Sequence, residues 1–228
     1  PTATYITQWL EELDRDYSHP AIVGWCPLNE TWQVLTDDIT QLDDVTRGMF
    51  LATKAMDRTR PVLDTSAYAH RVPEADVYDS HNYEQDIRKF SEIFSMPVVK
   101  GEVFENSVNG KVQSIGYGGQ PYFLSEFGGI WWNEELAQQA KEGSDRKESW
   151  GYGQRPVDIE EFYKRFEAMC NVLLDNPEHF AYCYTQLTDV FQEMNGIYEF
   201  DRSEKFDLER LRAIQMRKAA IEGIKSLY

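Results

Sequence analysis

The sequence predicts an α/β fold in which short parallel strands alternate with amphipathic helices. Short apolar runs alternate along the chain with segments whose apolar residues repeat at helical spacing. Two of these runs end in a glutamate, Glu30 and Glu126. The carboxyl ends of parallel strands are where α/β enzymes carry functional side chains. The pattern therefore predicts both the fold class and the place of its chemistry.

A leading helix is predicted from the spacing of Ile6, Leu10, Leu13 and Tyr17. It should end just before Pro20, because the residue before a proline is disfavoured in helical backbone. Four further segments show helical spacing, and helices are predicted at about 40–57, 85–94, 155–174 and 208–224.

Strands are predicted over five runs that are too short and too apolar for helices, at 21–25, 61–66, 75–81, 121–125 and 180–186. The helix at 155–174 should open at Arg155-Pro156, because a proline in the first turn loses no helical hydrogen bond. The stretches 108–119 and 133–154 are predicted to be loops. A long connection in a compact domain is usually functional.

Five strands with a leading helix do not close a barrel of eight. The order instead resembles the last five βα units of a (β/α)8 TIM barrel, with the N-terminal strands supplied elsewhere or missing. Residues 1–228 are therefore predicted to form the C-terminal portion of one catalytic barrel domain.

Composition excludes several classes of partner. The formal net charge of −16 over 228 residues argues against nucleic acid and against anionic lipid. Neither a membrane-span pattern nor a signal-peptide pattern is seen. Cys26, Cys170 and Cys183 are odd in number and lie in apolar segments, which predicts reduced core thiols and slightly favours the cytoplasm. With four histidines, no metal site or cofactor is expected.

Two glutamates at strand ends are the groups that cleavage of a glycosidic bond requires. A retaining glycosidase uses one as acid/base and one as nucleophile, about 5–5.5 Å apart. Asn29 precedes the first glutamate and could grip a sugar hydroxyl. The glycines after Glu126 allow the backbone to approach a ligand closely. The predicted partner is a carbohydrate substrate.

Three motifs resemble those of glycoside hydrolase family 2, the β-galactosidase, β-glucuronidase and β-mannosidase family. The stretch His19 to Trp25 followed by Asn29-Glu30 is similar to the acid/base motif, and Leu124 to Gly129 is similar to the nucleophile motif. Tyr184 to Val190, with the residues that follow it, resembles the last barrel strand. The resemblance covers essentially the whole chain.

The resemblance implies that Glu30 is the acid/base on strand four and Glu126 the nucleophile on strand seven. It places a tyrosine on strand six that hydrogen-bonds the nucleophile, and Tyr83 matches that position. It also implies two sandwich domains before the barrel. The Asn-x-Lys pair with which glucuronidases bind the sugar carboxylate is missing after the last strand, so the sugar stays open.

Three further residues are candidates for substrate contacts. Trp131 could stack on a sugar face, and His81 and Asp189 could bind hydroxyls. Each has a structural alternative, namely core packing for Trp131, a link between strands for His81 and a salt bridge for Asp189.

Other functions remain open at this point. The chain could be a catalytically inactive fragment, because open sheet edges favour association with the rest of a barrel or with a second copy. A homo-oligomer is therefore one alternative. A related barrel glycosidase family with the same two glutamates is another.

Overall fold

The computed structural model describes residues 2–31, 41–95, 103–141 and 149–223. The chain divides into two compact units. Unit 1 comprises Pro1–His81 and Val98–Ser125, and unit 2 comprises Asn82–Pro97 and Glu126–Tyr228. Each unit is thus built from segments that are distant in sequence.

The described helices are α1 Thr2–Asp16, α2 Gln41–Met56, α3 Ile87–Phe94, α4 Glu134–Lys141, α5 Ile159–Asp175 and α6 Leu208–Gln215, with a 3-10 helix at Ala220–Gly223. The strands are β1 Tyr78–Asn82, β2 Ser107–Val108, β3 Lys111–Val112, β4 Tyr122–Gly128 and β5 His179–Thr185. A three-stranded parallel sheet has the order β1-β4-β5, and β2 pairs with β3. Within the described ranges, none of the helices is long and apolar enough to cross a bilayer.

The core of unit 1 forms where α1 packs on α2. Leu13 of α1 and Phe50 of α2 are buried in one cluster with Trp25 and Val62. Beside this cluster, Trp9 Nε1 donates to Thr53 Oγ1 at 2.8 Å. Both helices lie where the apolar spacing predicts them, and α1 ends before His19-Pro20.

The first two predicted strands, at 21–25 and 61–66, are wrong as regular strands. They are reduced to two isolated parallel bridges, Trp25 to Val62 and Asn29 to Ser66. Pro27 lies between the bridges and has no N–H for a ladder, so the pairing cannot run through it. An apolar strand would be expected to be buried, but Val23 is 82% exposed.

The next two predicted strands are confirmed with shifted ends. Strand β1 is buried at every residue, and β4 continues beyond the predicted end at Ser125 to Gly128. Its extension carries Glu126 inside the strand rather than after it.

Unit 2 is organised around α5, which packs against α3, α6 and β5. Its core is mostly aromatic and includes the fully buried residues Phe90, Phe94, Phe127, Phe162, Phe166, Met169 and Leu173. The expectation that Arg155-Pro156 opens α5 is wrong, because the helix begins at Ile159. The Asp158 side chain caps it by accepting from the Glu161 N–H at 2.8 Å.

Both predicted loops contain secondary structure. Asn109 and Gly110 have positive φ angles of 51° and 76°, the requirement of a tight hairpin turn, and they join β2 to β3. In the stretch 133–154, Asn133 accepts from the Leu136 N–H at 3.0 Å and so caps α4. An Asn-Gly pair and an Asn before two glutamates were the overlooked signals.

Two further expectations need correction. The last helix ends at Gln215 and is followed by a separate 3-10 helix, with Leu211 as the buried residue of α6. Of the three free cysteines, Cys170 is buried, whereas Cys26 and Cys183 are exposed. The arrangement of residues 1–228 as one partial barrel domain stays a prediction.

Candidate active site

Glu30, in unit 1, sits in a backbone conformation that is rare for a residue with a side chain. Its φ is +48°. The preceding Asn29 bridges to Ser66, and the Glu30 N–H donates to the Ser66 carbonyl at 3.2 Å. Thr31 and Thr65 share a hydroxyl hydrogen bond of 2.6 Å just beyond. Such strain is held only where the surroundings enforce it, and it is often found at functional sites.

His81, at the end of β1, contacts the Glu30 carboxylate. Its Nδ1 lies 2.6 Å from Glu30 Oε1, and its side chain is fully buried, whereas the Glu30 side chain is 35% exposed. Asn106 accepts from the His81 N–H at 2.9 Å and donates to the His81 carbonyl at 2.8 Å. Asn106 thus fixes the main chain of His81, and the His81 imidazole contacts one oxygen of Glu30.

A buried charged cluster lies deeper in unit 1. His70 Nδ1 lies 2.9 Å from Asp64 Oδ1, and its Nε2 lies 3.0 Å from Asp79 Oδ1. Burial alone lowers the pKa of His70, but the hydrogen bonds and charges of the two carboxylates outweigh it and raise the pKa to about 10. The hydroxyl of Ser125, the residue before Glu126 in the chain, donates to Asp79 Oδ2. The cluster therefore supports the part of β4 that leads to the second glutamate.

Glu126, in unit 2, accepts a hydrogen bond on Oε2 from the phenol of Tyr83. Thr185 Oγ1 lies 3.3 Å from the same phenol oxygen. Burial of Tyr83 and its bond to the Glu126 carboxylate raise the pKa of the phenol far above its usual range. Tyr83 therefore remains a neutral donor, and a carboxylate that accepts a hydrogen bond is favoured in its ionised form.

The two glycines after Phe127 make room for aromatic side chains. Gly128 has φ +82°, and a Cβ there would lie 2.3 Å from Tyr184 Cε2. Gly129 has φ +61°, and a Cβ there would lie 2.3 Å from Tyr152 Cδ2. The two tyrosine rings occupy the space that side chains at these positions would need, and the expected approach of a ligand to this backbone stays a prediction.

The remaining predicted residues have defined places. Asn29 is exposed, and its Oδ1 accepts from the Ser66 hydroxyl at 2.5 Å. Trp131 is partly buried, with Nε1 3.3 Å from the Gly153 carbonyl. Asp189 is buried, and both of its carboxylate oxygens lie 2.8 Å from Lys205 Nζ. Their roles toward a substrate stay predictions.

Sequence reasoning did not find the buried His70 cluster or the place of Tyr152 against Tyr83. The rings of these two tyrosines are stacked, with centroids 3.5 Å apart. The motif Trp150-Gly151-Tyr152-Gly153 was a usable signal, because alternating aromatics and glycines indicate close packing of rings against backbone. The His70 cluster left no local pattern.

Comparisons with known proteins give structural matches alone. No protein-family model matches the chain, and no curated protein matches it in sequence. A β-glucuronidase of Bifidobacterium dentium complexed with coumarin-3-O-glucuronide is 16% identical, with a TM-score of 0.61 over 95% of this chain and 34% of that one. A β-glucuronidase of an uncultured Clostridium sp. is 14% identical, with a TM-score of 0.59 over 95% and 35%.

A third solved structure is a family 2 β-galacturonidase of Eisenbergiella tayi bound to galacturonate. It is 13% identical, with a TM-score of 0.57 over 98% of this chain and 37% of that one. The present chain thus spans about a third of the length of the structures it matches. At these identities the likeness concerns the fold, and the chain is similar in fold to a segment of family 2 glycoside hydrolases.

Proposed function

We propose that this chain carries the catalytic groups of a retaining β-glycosidase, with Glu126 as nucleophile and Glu30 as acid/base. The observation that carries the proposal is the hydrogen bond from Tyr83 to Glu126. A nucleophilic carboxylate must be ionised and aimed at the anomeric carbon, and a neutral phenol that donates to one oxygen serves both needs.

Glu30 suits the second role because its environment differs from that of Glu126. Its partner is the Nδ1 of an imidazole, which can accept a hydrogen bond from the acid form or donate one to the carboxylate form, according to tautomer. An acid/base catalyst must alternate between these two forms within one turnover. A change of His81 tautomer, which moves a proton between Nδ1 and Nε2, would let the same ring nitrogen pair with both forms.

In the first step a Glu126 oxygen bonds to the anomeric carbon while the bond to the leaving oxygen breaks. The Glu30 proton passes to that oxygen, and the alcohol departs. In the second step Glu30 takes a proton from water, the water oxygen bonds to the anomeric carbon, and the ester bond to Glu126 breaks. Both carboxyl groups return to their starting states.

Asn29 is proposed to bind a sugar hydroxyl beside the scissile bond. Ser66 orients the Asn29 amide through Oδ1, so Nδ2 is the end that would meet the sugar. The compared structures are described as uronidases. This chain lacks the Asn-x-Lys pair after its last strand, so a uronic acid is not proposed as its sugar. The proposed substrate class is a β-glycoside.

The test uses aryl β-glycosides and the longest natural form of the protein. Glu126→Gln and Glu30→Gln should each lower kcat/KM for a substrate with a poor leaving group at least about a thousandfold. Glu209→Gln, on a side chain that is 86% exposed on α6, is the matched control and should retain activity. Normal turnover by Glu126→Gln would overturn the proposal.

Azide separates the two roles. With an activated substrate, azide should rescue Glu30→Ala and give the β-glycosyl azide, because the nucleophile is intact and azide replaces water. It should rescue Glu126→Ala with the α-azide, because azide then attacks the sugar directly. Product stereochemistry opposite to this assignment would exchange the roles of the two residues.

A second candidate is that the chain is catalytically inactive by itself and acts only together with additional polypeptide. The observation in its favour is that the chain spans about a third of the similar structures. The 228-residue chain and a longer natural form would be compared by sedimentation and by the same assay. A stable, active monomer of the short chain would exclude this candidate.

A further inference from the structure

Tyr152 packs flat against the residue that holds the candidate nucleophile. The Tyr83 and Tyr152 rings have centroids 3.5 Å apart and planes that differ by 3°. Aromatic pairs left to themselves prefer offset or edge-to-face arrangements over a face-to-face sandwich. The surrounding chain must therefore hold the two rings together.

The backbone around Tyr152 fixes the position of the Tyr152 ring. The Tyr152 N–H donates to the Gly129 carbonyl at 3.0 Å, and Ile130 forms a parallel bridge with Tyr152. A side chain at Gly129 would collide with the Tyr152 ring. The Tyr152 ring therefore lies in space that is free only because residue 129, just after β4, is a glycine.

Gln85 fixes the main chain of Tyr83. Its Nε2 donates to the Tyr83 carbonyl at 3.1 Å and to the Gly128 carbonyl at 2.5 Å. A Cβ at Gly153 would lie 2.3 Å from Gln85 Cγ, so the loop after Tyr152 closes directly over this link. Tyr83 is therefore tied through its main chain to β4 and through its ring to Tyr152.

The phenol of Tyr83 has one O–H to donate, and it donates to Glu126 Oε2. A swing of the ring about its Cα–Cβ bond would carry the phenol away from the carboxylate. The Tyr152 face blocks that swing on one side. If the ring were absent, the phenol would spend less time on Glu126 and the carboxylate would be less stabilised in its charged form.

We propose that Tyr152 is a positioning residue that keeps the Tyr83 phenol on Glu126 and thereby sets the protonation equilibrium of the nucleophile. The catalytic meaning of this step rests on the proposed function. The positioning of Tyr83 by Tyr152 does not rest on it, because the protonation of Glu126 can be measured without enzymatic turnover.

The experiment is a 13C NMR titration of the Glu126 carboxyl carbon, assigned by its loss in Glu126→Gln. Tyr152→Leu should raise the apparent pKa of Glu126, with a roughly threefold to tenfold shift in the protonation constant. Tyr152→Phe keeps the ring and should restore most of the wild-type value. In a Tyr83→Phe background, Tyr152→Leu should add nothing.

Phe206→Leu is the matched control. Phe206 stacks on Phe162 with centroids 3.9 Å apart in the same unit, so its loss also removes a stacked ring. It should lower stability and leave the Glu126 titration unchanged. An unchanged titration in folded Tyr152→Leu, or an additive effect in the Tyr83→Phe background, would overturn the inference.

The fall of kcat/KM at acidic pH reports the protonation of the nucleophile in the free enzyme, so it connects the titration to activity. If Tyr152→Leu shifts the titration and this fall together, both proposals stand. If it shifts the titration while Glu126→Gln remains active, the proposed function fails and the positioning of Tyr83 by Tyr152 stands.

Discussion

Stability should fall with rising pH above neutrality because of His70. Its imidazole lies between Asp64 and Asp79, and its pKa is raised from 6.5 to about 10. The unfolded chain releases this proton near pH 6.5, whereas the folded chain keeps it. The stabilisation is therefore fully present below about pH 6.5 and is lost as pH rises through about 10.

The magnitude follows from the shift. Between these two values the folded state binds one proton more than the unfolded state, so stability changes by about 1.4 kcal/mol per pH unit. Two pH units above neutrality should therefore cost about 3 kcal/mol through this one group. Since His70 is almost completely buried, solvent screening reduces the value little.

Urea denaturation over this pH range measures the effect. The difference between wild type and His70→Gln isolates the His70 contribution from other titrating groups. The variant leaves two buried carboxylates without their cation and should lose about 3–5 kcal/mol near neutrality. If it does not fold, NMR titration of the His70 ring in the wild type decides. An imidazole that deprotonates near pH 6.5 would refute the reasoning.

Two further predictions concern packing and a buried ion pair. Gly128→Ala should lower the free energy of unfolding by about 2 kcal/mol or more, because φ is +82° and Tyr184 leaves no room for a Cβ. Gly48→Ala in α2 should raise it by up to about 1 kcal/mol, because a Cβ there would have no neighbouring atom within 4 Å. Urea denaturation compares the two, and equal effects would contradict the steric argument. Asp57→Ala should cost about 3 kcal/mol, because Asp57 is buried and accepts from the Arg60 guanidinium at 2.7 Å. A calorimetric melting temperature within a degree or so of wild type would count against it.

Much of the helical structure could be predicted because its determinants are local. The apolar spacing of α1 and α2 and the position of Pro20 require no knowledge of distant residues. The two candidate glutamates were found in the same way, from the apolar runs that precede them, although Glu126 lies inside β4 and Glu30 follows an isolated bridge. The predicted strands at 21–25 and 61–66 are reduced to isolated bridges, because Pro27 between the bridges has no N–H for a ladder and apolar content does not reveal this.

The sequence by itself therefore determined the alternation of helices and apolar runs, the two glutamates and the tyrosine that meets one of them. The tertiary structure alone decided which groups surround them. His70 lies between carboxylates, and Tyr152 lies on a ring almost seventy positions earlier in the chain. Such contacts arise from chain crossings between distant segments, and local spacing carries no record of them.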